Sequence, residues 1–162
     1  MRRYVLSFVM ALMTLTASAD SLTIKTVFME MPDSILPYLS RNNCLDFVDF
    51  VASGMKAQVD NELGGKSVMT ALTDDSLSIQ LNAVSKVDML LLTTMKSEQI
   101  VAVVKTVGQE SNVIESDVEC FTTGWQPMTD WPELDALSQQ RLDNTIKRLN
   151  ILNYFVKILN KN

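Results

Sequence analysis

No histidine occurs among the 162 residues, so any chemistry this chain performs must start from carboxylates, lysines, hydroxyls or its two thiols. That absence removes Ser-His-Asp and Cys-His nucleophilic catalysis, the common zinc sites, and imidazole as a pH switch. Ser53-Gly54-Met55-Lys56 spells S-x-x-K, in which a lysine one helical turn from a serine can activate it as a nucleophile. The usual companions of that pattern fail: Lys105-Thr106-Val107 is not K-T-G, and Ser40-Arg41-Asn42 precedes the serine instead of following it. Gly54 also falls where a helix would end, so a helix terminus feeding a strand explains these residues better than a catalytic pair. A carboxylate hydrolase would have to gather Asp33, Asp74 or Glu115 with a lysine in one cleft, and their spacing gives no reason to expect it.

Glu115, Asp117 and Glu119 recur at a period of two and could gather a calcium ion. Calcium takes six to eight oxygens from a looped segment, whereas a straight strand sets its same-face side chains about 7 Å apart. A solvated row guarding an edge strand is the better account, and no metal or other cofactor is expected. Cys44 and Cys120 are the only thiols. In an oxidising compartment they could form a disulfide, and each also reads as a small core residue; both readings stand. Trp125, Trp131, Phe121 and Tyr38, with Met31, Met55, Met69 and Met89, could line a pocket for a lipid or acyl chain, although core packing accounts for nearly all of them.

The elements that would position these residues centre on Lys56 to Thr122. Ser76 to Asn82 alternates strictly, placing Leu77, Ile79 and Leu81 on one face of a half-buried strand. Lys66 to Thr73 is its hairpin partner across Asp74-Asp75, and Gly64-Gly65 joins that run to a weaker one at Lys56 to Leu63. Val87 to Thr94 and Gln99 to Val107 are apolar enough to be central strands, and Val113 to Thr122 completes the set. Five or six strands with short connections make an antiparallel meander. Ahead of it, Thr23 to Phe28 fits either strand or helix, Ile35 to Leu39 a short helical segment, and Asn43 a cap for a helix burying Cys44, Val48, Val51 and Met55. Behind it, Asp130 and Glu133 read as a capping box for a helix carrying Leu142 and Ile146. Residues 150–162 are rich in strand formers and fit helix or strand.

Residues 1–19 look like a secretory leader: Arg2 and Arg3, an apolar run from Tyr4 to Leu15, and Ala17-Ser18-Ala19 before a cut at Asp20. The apolar run is too short to span a bilayer. Cleavage leaves residues 20–162 as one α+β domain and, with two arginines gone, takes the formal charge from −5 to −7. Such an acidic chain with scattered cations has no footprint for nucleic acid.

Val27-Phe28, Met31 to Leu39, Asn42-Asn43, Asp46 to Phe50, Ser53 to Ala57, Gly64-Gly65 and Leu72 to Asp75 together resemble a family of exported Bacteroidales proteins, domain of unknown function 3256. Val104 to Val107 and Phe121 to Pro127 are similar too, so the resemblance covers roughly residues 24–128. It implies a periplasmic or outer-surface location and carries over no site residues. The reading is α+β: an antiparallel five- to six-stranded meander sheet with N-terminal helices packed on one face and a C-terminal helix. Its expected role is a periplasmic or secreted, non-enzymatic binding or interaction module, with an unknown protein or apolar small molecule as partner. The alternatives are a carrier of a lipid-like ligand in a half-barrel, a hydrolase using carboxylates or the Ser53-Lys56 pair, and a structural or assembly role.

Overall fold

The computed structural model describes residues 22–109 and 112–148; the leader and the ambiguous segment at 150–162 lie outside them. Two helices come first, α1 (Ile24–Met29) and α2 (Arg41–Ala52), then six strands: β1 (Gln58–Asp60), β2 (Lys66–Leu72), β3 (Ser76–Gln80), β4 (Ser85–Thr93), β5 (Gln99–Gln109) and β6 (Asn112–Thr122). Helix α3 (Ala136–Arg148) follows. The strands form one antiparallel sheet in sequence order, the meander that short turns between alternating runs dictate.

The Thr23 to Phe28 ambiguity resolves as helix because Thr23 and Thr26 form a reciprocal capping box. Three expectations for the segments ahead of the sheet are corrected. The Ile35 to Leu39 segment is a run of turns that nonetheless buries Leu36 and Leu39. The cap of α2 is Ser40; Asn43 is the reciprocal third residue, whose side chain also donates to the Asp60 carbonyl at 3.2 Å and so ties α2 to β1. Helix α2 buries Cys44, Phe47 and Val48, while Val51 and Met55 are exposed. The helix ends as expected, with Gly54 at φ +66°, a conformation that costs a side-chain-bearing residue about 1–2 kcal/mol.

The sheet is covered on both faces. On the front, α1, α2 and the turns after α1 bury Ile24, Phe28, Met31, Leu39 and Phe47 against Leu77, Ile79, Val87, Met89, Val101 and Val103. Each of these large side chains contributes roughly 1.5–3 kcal/mol by leaving water. On the back, α3 sets Leu142 and Ile146 on Leu90, Leu92, Ile100, Ala102 and Cys120. Coverage on both sides is why β4 reads as an unbroken buried run from Val87 to Leu92 and not as an alternation. The cap of α3 is Asp135, whose carboxylate accepts from the Ser138 N–H at 2.7 Å, and not Asp130 with Glu133. Hydrogen bonds from Ser138 hold the Asp135 carboxyl below the ordinary carboxylate range.

Candidate functional site

The back face changes character along its length. Its register rows read Ser76, Leu90, Ala102, Cys120 under α3, then Ser78, Asp88, Val104, Val118, then Gln80, Lys86, Thr106, Ser116. Asp88 and Thr106 are only 5% and 4% exposed. One Asp88 oxygen, Oδ1, accepts from the Ser78 hydroxyl and lies 3.2 Å from the Lys86 ammonium. The other, Oδ2, is buried with no hydrogen-bond partner among the described residues, and so is Thr106 Oγ1. Buried polar atoms are satisfied in the great majority of cases, which sets these two apart, with Arg141 Nε the one other such atom among the described residues. Thr106→Val keeps the shape and removes an unsatisfied hydroxyl, so it should raise stability by about 1 kcal/mol, read as a higher urea midpoint.

This cluster leaves only a faint trace in the sequence. Lys86, Asp88, Leu90 and Leu92 share one parity, and that switch from charged to apolar along one face was the visible clue. A second cluster could not be seen at all. Arg141 of α3 reaches Asp75 in the β2–β3 turn, and its other nitrogen donates to the Leu91 carbonyl at 3.1 Å. The same turn accepts from Ile24 N–H through Asp74 and from Leu91 N–H through Asp75, both at 2.8 Å. The Asp74-Asp75 hairpin thus holds α1, β4 and α3 together.

The sites proposed from sequence are not gathered. Ser53 is the C-cap of α2, Gly54 turns the chain after it, and Ser53 and Lys56 are both exposed. Asp33, Asp74 and Glu115 are exposed as well, on separate elements. Glu119 pairs with Lys105 across β5 and β6, Glu115 and Asp117 face solvent, and no group of three His, Cys, Asp or Glu suited to a metal ion occurs among the described residues. The apolar candidates diverge: Trp125, Phe121, Met31, Met69 and Met89 fill the front core, Trp131 packs against the back one, and Met55 is 54% exposed.

Cys44 lies in the front core and Cys120 in the back one, both as free thiols. The sheet stands between them, and the pairing considered from sequence is not made. Burial pushes the Cys44 thiol up to about 12, with Asp33 adding to it, and Cys120 up to about 11, partly offset by a hydrogen bond from the Phe121 backbone. Both are therefore neutral at pH 7 and poor nucleophiles. Because folding favours the neutral thiol, its contribution is intact below the unfolded value of 9.0 and is lost as pH rises toward the folded values. At pH 10 the loss is on the order of 1 kcal/mol per thiol. The drop in urea midpoint between pH 8 and pH 10 should accordingly shrink in Cys44→Ala, whatever that change costs at both pH values.

Strand β6 forms one edge of the sheet. Part of that edge is closed by the chain itself: Thr122 N–H donates to Gln126 and Met128 N–H to Cys120, both at 2.9 Å, around a Phe121–Pro127 bridge. By strand alternation the backbone groups of Ser116 and Val118 point the same way, and they have no backbone partner among the described residues. Beside them stand Glu115, Asp117 and Glu119.

With this geometry in place, a family model described as a protein of unknown function (DUF3256) matches residues 16–150. The chain belongs to this family. The match bears out the resemblance read from sequence and extends it at both ends. A solved structure, that of a domain of an uncharacterized protein from Porphyromonas gingivalis W83, is similar to this DUF3256 chain at 24% identity and a TM-score of 0.55. The alignment covers 68% of this chain and 57% of that one, so the likeness is one of fold over little more than half of the other chain. No curated protein matches.

Proposed function

We propose that this DUF3256 protein is exported to the periplasm or cell surface, where residues 20–162 form one body that binds a partner and performs no catalysis. The observation that carries the reading is the half-closed edge of β6, where the chain's own Gln126 to Met128 already pairs through one bridge and two hydrogen bonds and stops at Cys120. An edge that accepts one segment can accept another beyond it. Self-association is disfavoured: twofold antiparallel pairing about residue 116, 117 or 118 sets acid opposite acid within the Glu115, Asp117, Glu119 row. The complementary partner is an extended segment with basic residues at alternate positions. Export is supported by the leader pattern at residues 1–19, and no described helix is long and apolar enough to cross a membrane. A lipid carrier gains no support, since the helix-covered face is filled by Phe28, Phe47, Met31 and Leu39 of the chain itself.

Fractionation of host cells tests the location, with the periplasmic form expected to begin at Asp20 and recovery of the intact leader in the cytoplasm sinking it. Photo-crosslinking from position 116 or 118 tests the edge. A discrete adduct that Asp117→Lys abolishes is expected; equal crosslinking from Met55, exposed in the turn after α2, would show that the edge is not the binding surface.

A further inference from the structure

The polar end of the back face leaves two buried polar atoms unpaired among the described residues. Asp88 Oδ2 can only accept and Thr106 Oγ1 can donate or accept; both are more than nine-tenths buried and neither has a partner. They sit on neighbouring strands at diagonal positions of one face, with Lys86 directly opposite Thr106 and next to Asp88 on that face. The Lys86 ammonium already neutralises the Asp88 carboxylate. An anion would meet that carboxylate, and a cation would add uncompensated charge to a buried site, so the occupant is neutral. To satisfy both atoms it must donate a hydrogen to Asp88 while exchanging one with Thr106, with Lys86 able to donate to its remaining oxygen.

Two adjacent hydroxyls meet all of these demands. We propose that Asp88, Thr106 and Lys86 form a binding site for the vicinal diol of a free polyol or saccharide. The side chains toward β2 are less enclosed, with Ser78 and Gln80 half-buried and Thr70 exposed, and a ligand would enter there by displacing them. The inference is independent of the role given to β6.

The test is a titration of the labelled protein, as its host processes it, with methyl glucoside, glycerol and ethanol, followed by the amide resonances of residues 86–88 and 104–106. Saturable shifts are expected with the first two ligands below about 100 mM and none with ethanol, the affinity range of a few hydrogen bonds. Thr106→Val breaks no bond within the fold and should weaken binding at least about tenfold while the protein stays folded; Asp88→Asn, checked for folding by its amide spectrum, should do the same. Shifts that ethanol reproduces, shifts unchanged in Thr106→Val, or an occupied site holding a bound water only would each overturn the proposal.

Discussion

Trp125→Ala is expected to lower the unfolding free energy by about 3–5 kcal/mol, among the largest effects of any single substitution in this chain. The ring is 5% exposed and packs at 5.7 Å, tilted, on Phe121 at the end of β6. Its indole N–H donates to the Val27 carbonyl at 2.9 Å, so the turn after the last strand grips the first helix. Helix α1 has six residues, too few to persist without tertiary support. Loss of the indole should therefore release α1 before the sheet unfolds, seen as fast amide exchange at Val27 and Phe28. Trp125 also holds its backbone at φ 63°, the left-handed region, which costs a residue with a Cβ about 1–2 kcal/mol. Two further substitutions separate the terms. Trp125→Phe keeps most of the burial and leaves the Val27 carbonyl without that donor, costing about 1–3 kcal/mol. Trp125→Gly should be no worse than Trp125→Ala despite the smaller side chain, because glycine removes the backbone strain. Urea unfolding followed by circular dichroism ranks all three. A cost below about 1 kcal/mol for Trp125→Ala would mean that α1 is held by the front core alone.

The strands were legible because the forces that set them are local. Strict alternation at Ser76 to Asn82, Gly64-Gly65 and Asp74-Asp75 fix the hairpins, and with them the order of the whole sheet. The helices were harder, since several polar residues compete for each cap. Ser40 and Asn43 can each cap α2, and the choice falls to Ser40 because Asn43 gains a bond to Asp60 that only the folded sheet supplies. Asp135 wins over Asp130 for a similar reason: its N–H bonds the Thr93 carbonyl, so α3 starts where β4 holds it. The exposure of Met55 follows from Gly54, which turns the chain toward β1 before the helical stripe is complete, while Val51 is exposed in the last turn of α2 itself. What no pattern could reveal are contacts between residues far apart in the chain, such as Asp75 with Arg141 and Trp125 with Val27. The candidate polyol site is intermediate. Its Lys86 and Asp88 are visible as charges at the head of an apolar strand, yet their burial depends on the back face being covered, which alternation does not report.

The Lys86–Asp88 pair gives the second large effect. Their side chains are 14% and 7% exposed, so removing one partner leaves the other charge desolvated. Asp88→Ala should cost about 3–5 kcal/mol, since it strands the Lys86 ammonium and deletes the acceptor of the Ser78 hydroxyl. Lys86→Met should cost less than Asp88→Ala, because Asp88 retains Ser78 and the methionine stem still covers the strand. The decisive variant is the double substitution Lys86→Met with Asp88→Leu. Replacing a buried ion pair by apolar residues of similar size is often neutral or stabilising, so the double variant should lie within about 1 kcal/mol of the parent while the single changes sum to far more. Asp88→Leu alone strands Lys86 as Asp88→Ala does, and urea midpoints of the parent, Lys86→Met, Asp88→Leu and the double variant close the cycle. If Asp88→Ala is as mild as a surface change, the polar end is hydrated and the diol site loses its buried floor. If instead the cycle closes with strong coupling and a stable double variant, folding does not require the two charges. Their contribution must then be either to hold β3, β4 and β5 in register or to bind a ligand. Register failure would shift amides throughout the sheet in the double variant, whereas loss of binding would leave the spectrum intact and remove only the response to methyl glucoside.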